Sequence, residues 1–110
     1  TRFMVHGFSG AEELARAYLR LGGVIGLGGL VTRATPRLHR TVRSIPWSAF
    51  VLESDAPDLP PAGAQVSDPT DLPRIAEAVA ALRGSPVDSV SAAAEANARR
   101  VFGDLLAQLD

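Results

Sequence analysis

The order of residues predicts an α/β chain whose parallel strands carry helices packed on the outside. Short apolar runs alternate three times with amphipathic stretches, giving βαβαβα followed by a terminal helix. The second run, Val24-Ile25-Gly26-Leu27-Gly28, is continuously apolar, as in strands covered on both faces. Glycines and prolines stand where one element should give way to the next.

Arg2 to Val5 is the first run, and His6-Gly7-Phe8 then leads to Ser9, which with Glu12 spells an S-x-x-E capping box. The spacing predicts a helix to about Leu21, with Leu14, Tyr18 and Leu21 facing inward and Gly22-Gly23 as its stop. After the second strand, a loop over 29–34 reaches Thr35-Pro36, the cap and first position of a second helix. Leu38, Val42 and Ile45 are its inward residues, and Pro46-Trp47-Ser48 ends it, with Trp47 read as packing.

FVLESDAP at 50–57 forms the third strand. The stretch DAPDLPPAGAQVSDPT at 55–70 is long for a connection without structure of its own, a length that goes with function or disorder. Leu72 to Arg83 reads as the third helix, with Leu72, Ile75, Val79 and Leu82 on one side and Gly84 as stop. Pro86 to about Leu106 is a last helical stretch, bent near Ala92, with Val90, Ala94, Asn97 and Val101 along one face. An open sheet of this size leaves two edges unprotected, so the chain needs more sheet than it owns.

At 110 residues and 46% hydrophobic, the chain suits one small globular domain. Its lack of cysteine excludes disulfides, thiolate metal sites and a thiol nucleophile, and favours a reducing compartment. Any metal must be held by His, Asp or Glu. No apolar run approaches the roughly 20 residues of a membrane span, and TRFMVHGF lacks a signal-peptide layout. The expectation is a soluble, cytoplasmic protein without a membrane partner. Eleven basic against 12 acidic residues argue against a general nucleic-acid binder. Every basic residue is Arg, which holds phosphate bidentately but also reflects composition bias.

Ligand sites of parallel α/β folds lie at the C-terminal ends of the strands. His6 ends the first strand and Asp55 the third, on one face, where a His and a carboxylate suit a shared divalent cation. Taken singly, His6 reads more often as a surface or satisfied core residue and Asp55 as a turn or cap residue before Ala56-Pro57; their shared level at the ends of buried strands is what favours the functional reading. The acidic residues Glu53 and Asp55 at the end of a buried strand need a partner, since an unpaired buried carboxylate is costly. Arg33 and Arg37 open on the same face; Arg33 is the better candidate for phosphate contact, with an ordinary polar loop residue as the other reading.

VHGFSG at 5–10, IGLGGLVT at 25–32, LESDAP at 52–57 and NARRVFG at 97–103 stand in the order and spacing of one family. Across essentially the whole of 1–110, the chain resembles the TatD-like metal-dependent deoxyribonucleases of the amidohydrolase superfamily. The resemblance implies an α/β fold that is the C-terminal part, strands six to eight with their helices, of a (β/α)8 TIM-type barrel. Strands one to five have no counterpart. It also implies a hydrolase cleaving phosphodiester bonds, in DNA or a small phosphodiester, through a metal-activated water.

By that resemblance, His6 matches the sixth-strand His ligand, and Asp55 the eighth-strand Asp that binds the metal and activates the water. The cofactor implied is a divalent cation, with Mg, Mn and Zn not distinguished. Glu53 precedes Asp55 in the family's E-T-D-A-P motif, here with Ser54 for Thr, and is expected to be held by neighbouring backbone or an Arg. The paired His of the first strand, the Glu of the fourth and the His of the fifth have no counterpart; His39 is read as a solvent-facing helix residue. Where many relatives carry Arg-Asn-x-Pro, this chain has Val66-Ser67-Asp68-Pro69, which puts any role of that Arg and Asn in question. Asn97 matches a terminal-helix Asn, read as a buried amide bonded to backbone.

Two ligands do not complete a catalytic site, so the 110 residues alone are expected to be inactive. Thr1 is not an initiator, which favours a piece of a longer chain; pairing with a separate polypeptide that carries the other strands is the second account. The alternatives in function are a degenerate homologue with an interaction role and a flavodoxin-like module using Gly26, Gly28 and Gly29 for phosphate. The last is weakened because those glycines do not open a helix at once.

Overall fold

β1 (Phe3–Val5), α1 (Glu12–Arg20), β2 (Gly23–Leu27), a 3-10 turn (Gly29–Thr32), α2 (Pro36–Ser44), β3 (Phe50–Leu52), α3 (Leu72–Arg83) and α4 (Val87–Leu109) follow one another along the chain. The computed structural model describes residues 3–33, 35–54 and 72–109. The strands pair in parallel in the order β1-β2-β3, with Val5 opposite Ile25 and Leu27 opposite Leu52. The expected βαβαβα order therefore holds. Every residue of the central strand β2 is buried, which is why its sequence does not alternate.

Alternation along the strands divides the apolar residues between two faces. Val5, Ile25, Leu27, Phe50 and Leu52 meet Ala15, Leu38, Val42, Ile75, Val79 and Val90 of the helices in the main core. Met4, Val24 and Val51 turn the other way and are covered by Ala98 and Val101. One helix, α4, thus serves both faces. Its Asn97 Nδ2 donates to the carbonyls of Trp47 and Phe50 at 2.8 and 2.7 Å, as the buried-amide reading expects. Arg100 Nη2 donates to Ser48 O at 2.8 Å. These acceptors lie at the start of β3, so α4 closes the N-terminal end of the sheet and leaves the C-terminal end to the site.

Some elements differ from their expected form. α4 runs unbroken through Ala92, because Ser91 to Asn97 contain no Gly or Pro to bend it. The Ser9 capping box does not form: α1 starts at Glu12 behind Ala11, with no side-chain cap. Phe8 is buried with its N–H on Gly26 O at 3.0 Å, and Gly10 O accepts from Thr41 Oγ1 at 3.2 Å. That stretch is tied to its neighbours, and the helix begins beyond it. Glu12 accepts from Arg16 instead.

The inward face of α1 is correspondingly set by Ala15, Tyr18 and Leu19, while Leu14 is 45% and Leu21 69% exposed. Gly22, at φ +92°, stops the helix as expected. Thr35 precedes Pro36 but makes no side-chain cap. Leu38, Val42 and Ile45 are buried, as are Ile75 and Val79, whereas Leu72 at the start of α3 is exposed. β3 stops at Leu52, although Glu53 N–H still bonds Leu27 O at 3.0 Å.

Trp47 packs, as expected, with its ring tilted against Phe50. The Arg83 guanidinium lies 4.3 Å from the Trp47 ring centroid, and its Nη1 donates to Val42 O and Ile45 O at 2.8 Å each. Burial lowers the Arg83 pKa from its ordinary value. Among the described residues, no helix is long and apolar enough to cross a membrane.

Candidate functional site

At the C-terminal end of the sheet, all three strands converge on the Glu53 carboxylate. Glu53 extends the face of β3 that carries Val51, and the matching face of β2 carries Gly26. A Cβ on Gly26 would stand 2.7 Å from Glu53 Cδ and Oε1 and 2.8 Å from Oε2, so only glycine lets the carboxylate lie over the strand. From β1, the Gly7 N–H donates to Glu53 Oε1. Gly7 holds a left-handed conformation at φ +56°, which glycine adopts without strain and which turns the chain directly after His6.

The second carboxylate oxygen, Oε2, is 2.9 Å from His6 Nδ1. Glu53 is 14% exposed and His6 75%. A carboxylate this buried is satisfied by one backbone and one imidazole donor, and the expectation that backbone would hold Glu53 is met at Gly7. The second partner is His6 rather than an arginine. The imidazole keeps its other nitrogen, Nε2, on the edge of the ring away from Glu53.

The predicted site residues are placed unevenly. His6 stands just past β1 as expected, while Asp55 lies outside the described residues, as do 66–69 with the Val66-Ser67 departure. Arg33 is exposed just after the 3-10 turn, and Arg37 is exposed in the first turn of α2. His39 is not simply solvent-facing: its Nε2 lies 3.2 Å from Val31 O, joining α2 to the 3-10 turn. Gly29 opens only that four-residue turn, and Gly26 is occupied by Glu53, so the glycines do not form a phosphate-cradling loop.

The pairing of Glu53 with His6 was not foreseen from the sequence. One signal for it was present: Gly26 interrupts the apolar run of β2 between Ile25 and Leu27, a place where another group can approach the strand closely.

Among the described residues, no group of three or more His, Asp or Glu side chains is placed to hold a metal ion. Of the two expected ligands, His6 is the one described. An exposed imidazole whose Nδ1 is engaged by a carboxylate is the usual arrangement of a metal-binding His.

Against known proteins, the chain is 35% identical over 104 residues to the uncharacterized metal-dependent hydrolase YjjV of Escherichia coli, covering 90% of this chain and 39% of that protein. To the 3'-5' ssDNA/RNA exonuclease TatD of Erwinia amylovora it is 35% identical over 108 residues, covering 91% of this chain and 42% of the relative. The chain thus spans about two fifths of the length of these curated relatives. The crystal structure of E. coli YjjV superposes with a TM-score of 0.82 at 33% identity, over 90% of this chain and 39% of that one. The α/β fold is that of the TatD barrel structures over this part of their length, a partial barrel. The family model for TatD related DNases matches residues 1–103, and the chain belongs to that family.

Proposed function

We propose that this chain contributes strands six to eight, with part of the metal and catalytic site, to a TatD-type hydrolase that cleaves phosphodiester bonds in nucleic acid. The single observation that carries the reading is His6, held by Glu53 at the C-terminal end of a parallel sheet. In that reading, His6 offers Nε2 to a divalent cation and Asp55 offers a carboxylate to the same ion. When bound, the cation lowers the pKa of water and offsets charge on phosphate oxygens. The Asp55 carboxylate accepts the proton that the attacking water gives up. Arg33 binds the phosphodiester, and Glu53 keeps His6 in place. The absence of cysteine suits a reducing, cytoplasmic setting.

The remaining ligands come from strands one to five, on the same or another polypeptide. The relative named as a single-stranded DNA and RNA exonuclease supports nucleic acid as the substrate class. A chimera tests the reading: residues 1–103 replace the matching segment of the E. amylovora exonuclease, and hydrolysis of a single-stranded oligonucleotide is followed with and without chelator. The chimera is expected to be metal-dependent and to lose activity by about 100-fold or more with Asp55→Asn or His6→Ala. A folded chimera that cleaves no phosphodiester, or one indifferent to both substitutions, contradicts it.

A further inference from the structure

The contacts around Glu53 decide which nitrogen of His6 carries the proton. An ionised carboxylate only accepts hydrogen bonds. Glu53 Oε1 takes the Gly7 N–H and Oε2 lies 2.9 Å from His6 Nδ1, so a neutral His6 must carry its proton on Nδ1 to complete the pair. That leaves the Nε2 lone pair on the exposed edge of the ring. The carboxylate lies over β2 at Gly26, where a Cβ would stand 2.7 Å from its Cδ.

We propose that Glu53 is the positioning residue of this site: anchored by Gly7 and seated over Gly26, it fixes His6 in the Nδ1–H tautomer with Nε2 free to bind a cation. The inference rests on the metal reading above and adds to it a residue that need not touch the cation. His39 supplies an internal contrast. Its Nε2 lies 3.2 Å from Val31 O, and a carbonyl accepts only, so His39 must carry the opposite tautomer.

These are the two histidines of the chain, so long-range 1H–15N correlation of the imidazole nitrogens resolves both. At about pH 9, above the ordinary imidazole range, the wild-type chain should show His6 as Nδ1–H and His39 as Nε2–H. In Glu53→Gln the amide cannot accept from both Gly7 and His6. With its oxygen on the Gly7 N–H, its NH2 faces Nδ1 and drives His6 to the Nε2–H form, while His39 stays unchanged and reports that the fold is intact. Mn2+ affinity should fall roughly 10- to 100-fold, the usual effect of losing such a partner.

Should Glu53→Gln lose the His39 signal, Glu53→Ala removes the partner without presenting a donor, and the same switch at His6 is expected. A wild-type His6 found as Nε2–H, or one that keeps Nδ1–H in a folded Glu53 variant, overturns the proposal. A tautomer that switches as described in a chain without affinity for Mn2+ upholds the positioning role and defeats the metal reading instead.

Discussion

The Glu53 carboxylate occupies the space that a side chain on Gly26 would need. A mid-strand glycine, otherwise a weak choice in a sheet, is thereby explained by what lies across it. Gly26→Ala is expected to push the carboxylate aside and cost about 1–3 kcal/mol, the usual range for overpacking. Thermal denaturation followed by circular dichroism measures it. An unchanged melting temperature would show that Glu53 yields freely and that its seat is loose.

Asn97 ties α4 to the start of β3 through two carbonyls 50 and 47 residues away. Asn97→Ala leaves both acceptors without that donor in a buried setting and should destabilise the fold by about 1–3 kcal/mol. Urea unfolding checks this. A loss below about 0.5 kcal/mol would mean that water replaces the amide.

Arg83 holds the last turn of α2 through Val42 O and Ile45 O while lying over Trp47. Lysine keeps the charge but loses the planar group that does both. Arg83→Lys is therefore expected to cost about 1–2 kcal/mol in the same unfolding measurement. Equal stability of the two proteins would reduce the contact to a charge effect.

Gly7 turns the chain at φ +56° and aims its N–H at Glu53. Gly7→Ala should cost about 1 kcal/mol of backbone strain. It should also broaden the backbone amide resonances of His6 and Glu53, whereas those of α3 should stay sharp. Heteronuclear NMR decides, and a sharp, unshifted His6 would detach the turn from the site.

Much of this was legible in the sequence because local signals and the fold agree. The continuous apolar run of β2, Pro36 opening α2, and Gly22 and Gly84 at positive φ each follow from one residue's own chemistry. The inward face of α1 was misread because Leu14 and Leu21 are hydrophobic yet exposed, and only packing against β2 selects Ala15. The bend expected near Ala92 is absent because nothing in the local sequence breaks the helix. The position of His6 just past the first strand was legible from the apolar run that precedes it. Its bond to Glu53 spans 47 residues and depends on strand register, which hydrophobic pattern alone does not reveal.

Under the proposed function, the C-terminal end of this sheet binds a divalent cation through His6 and Asp55. Titrating Mn2+ into the 15N-labelled chain tests it directly, since paramagnetic broadening reports even weak binding at the residues nearest the ion. Broadening is expected first at His6, Gly7 and 53–55, and is abolished by Asp55→Asn. Broadening centred elsewhere, such as on Glu12 and Glu13 at the start of α1, or broadening that survives Asp55→Asn, would contradict it.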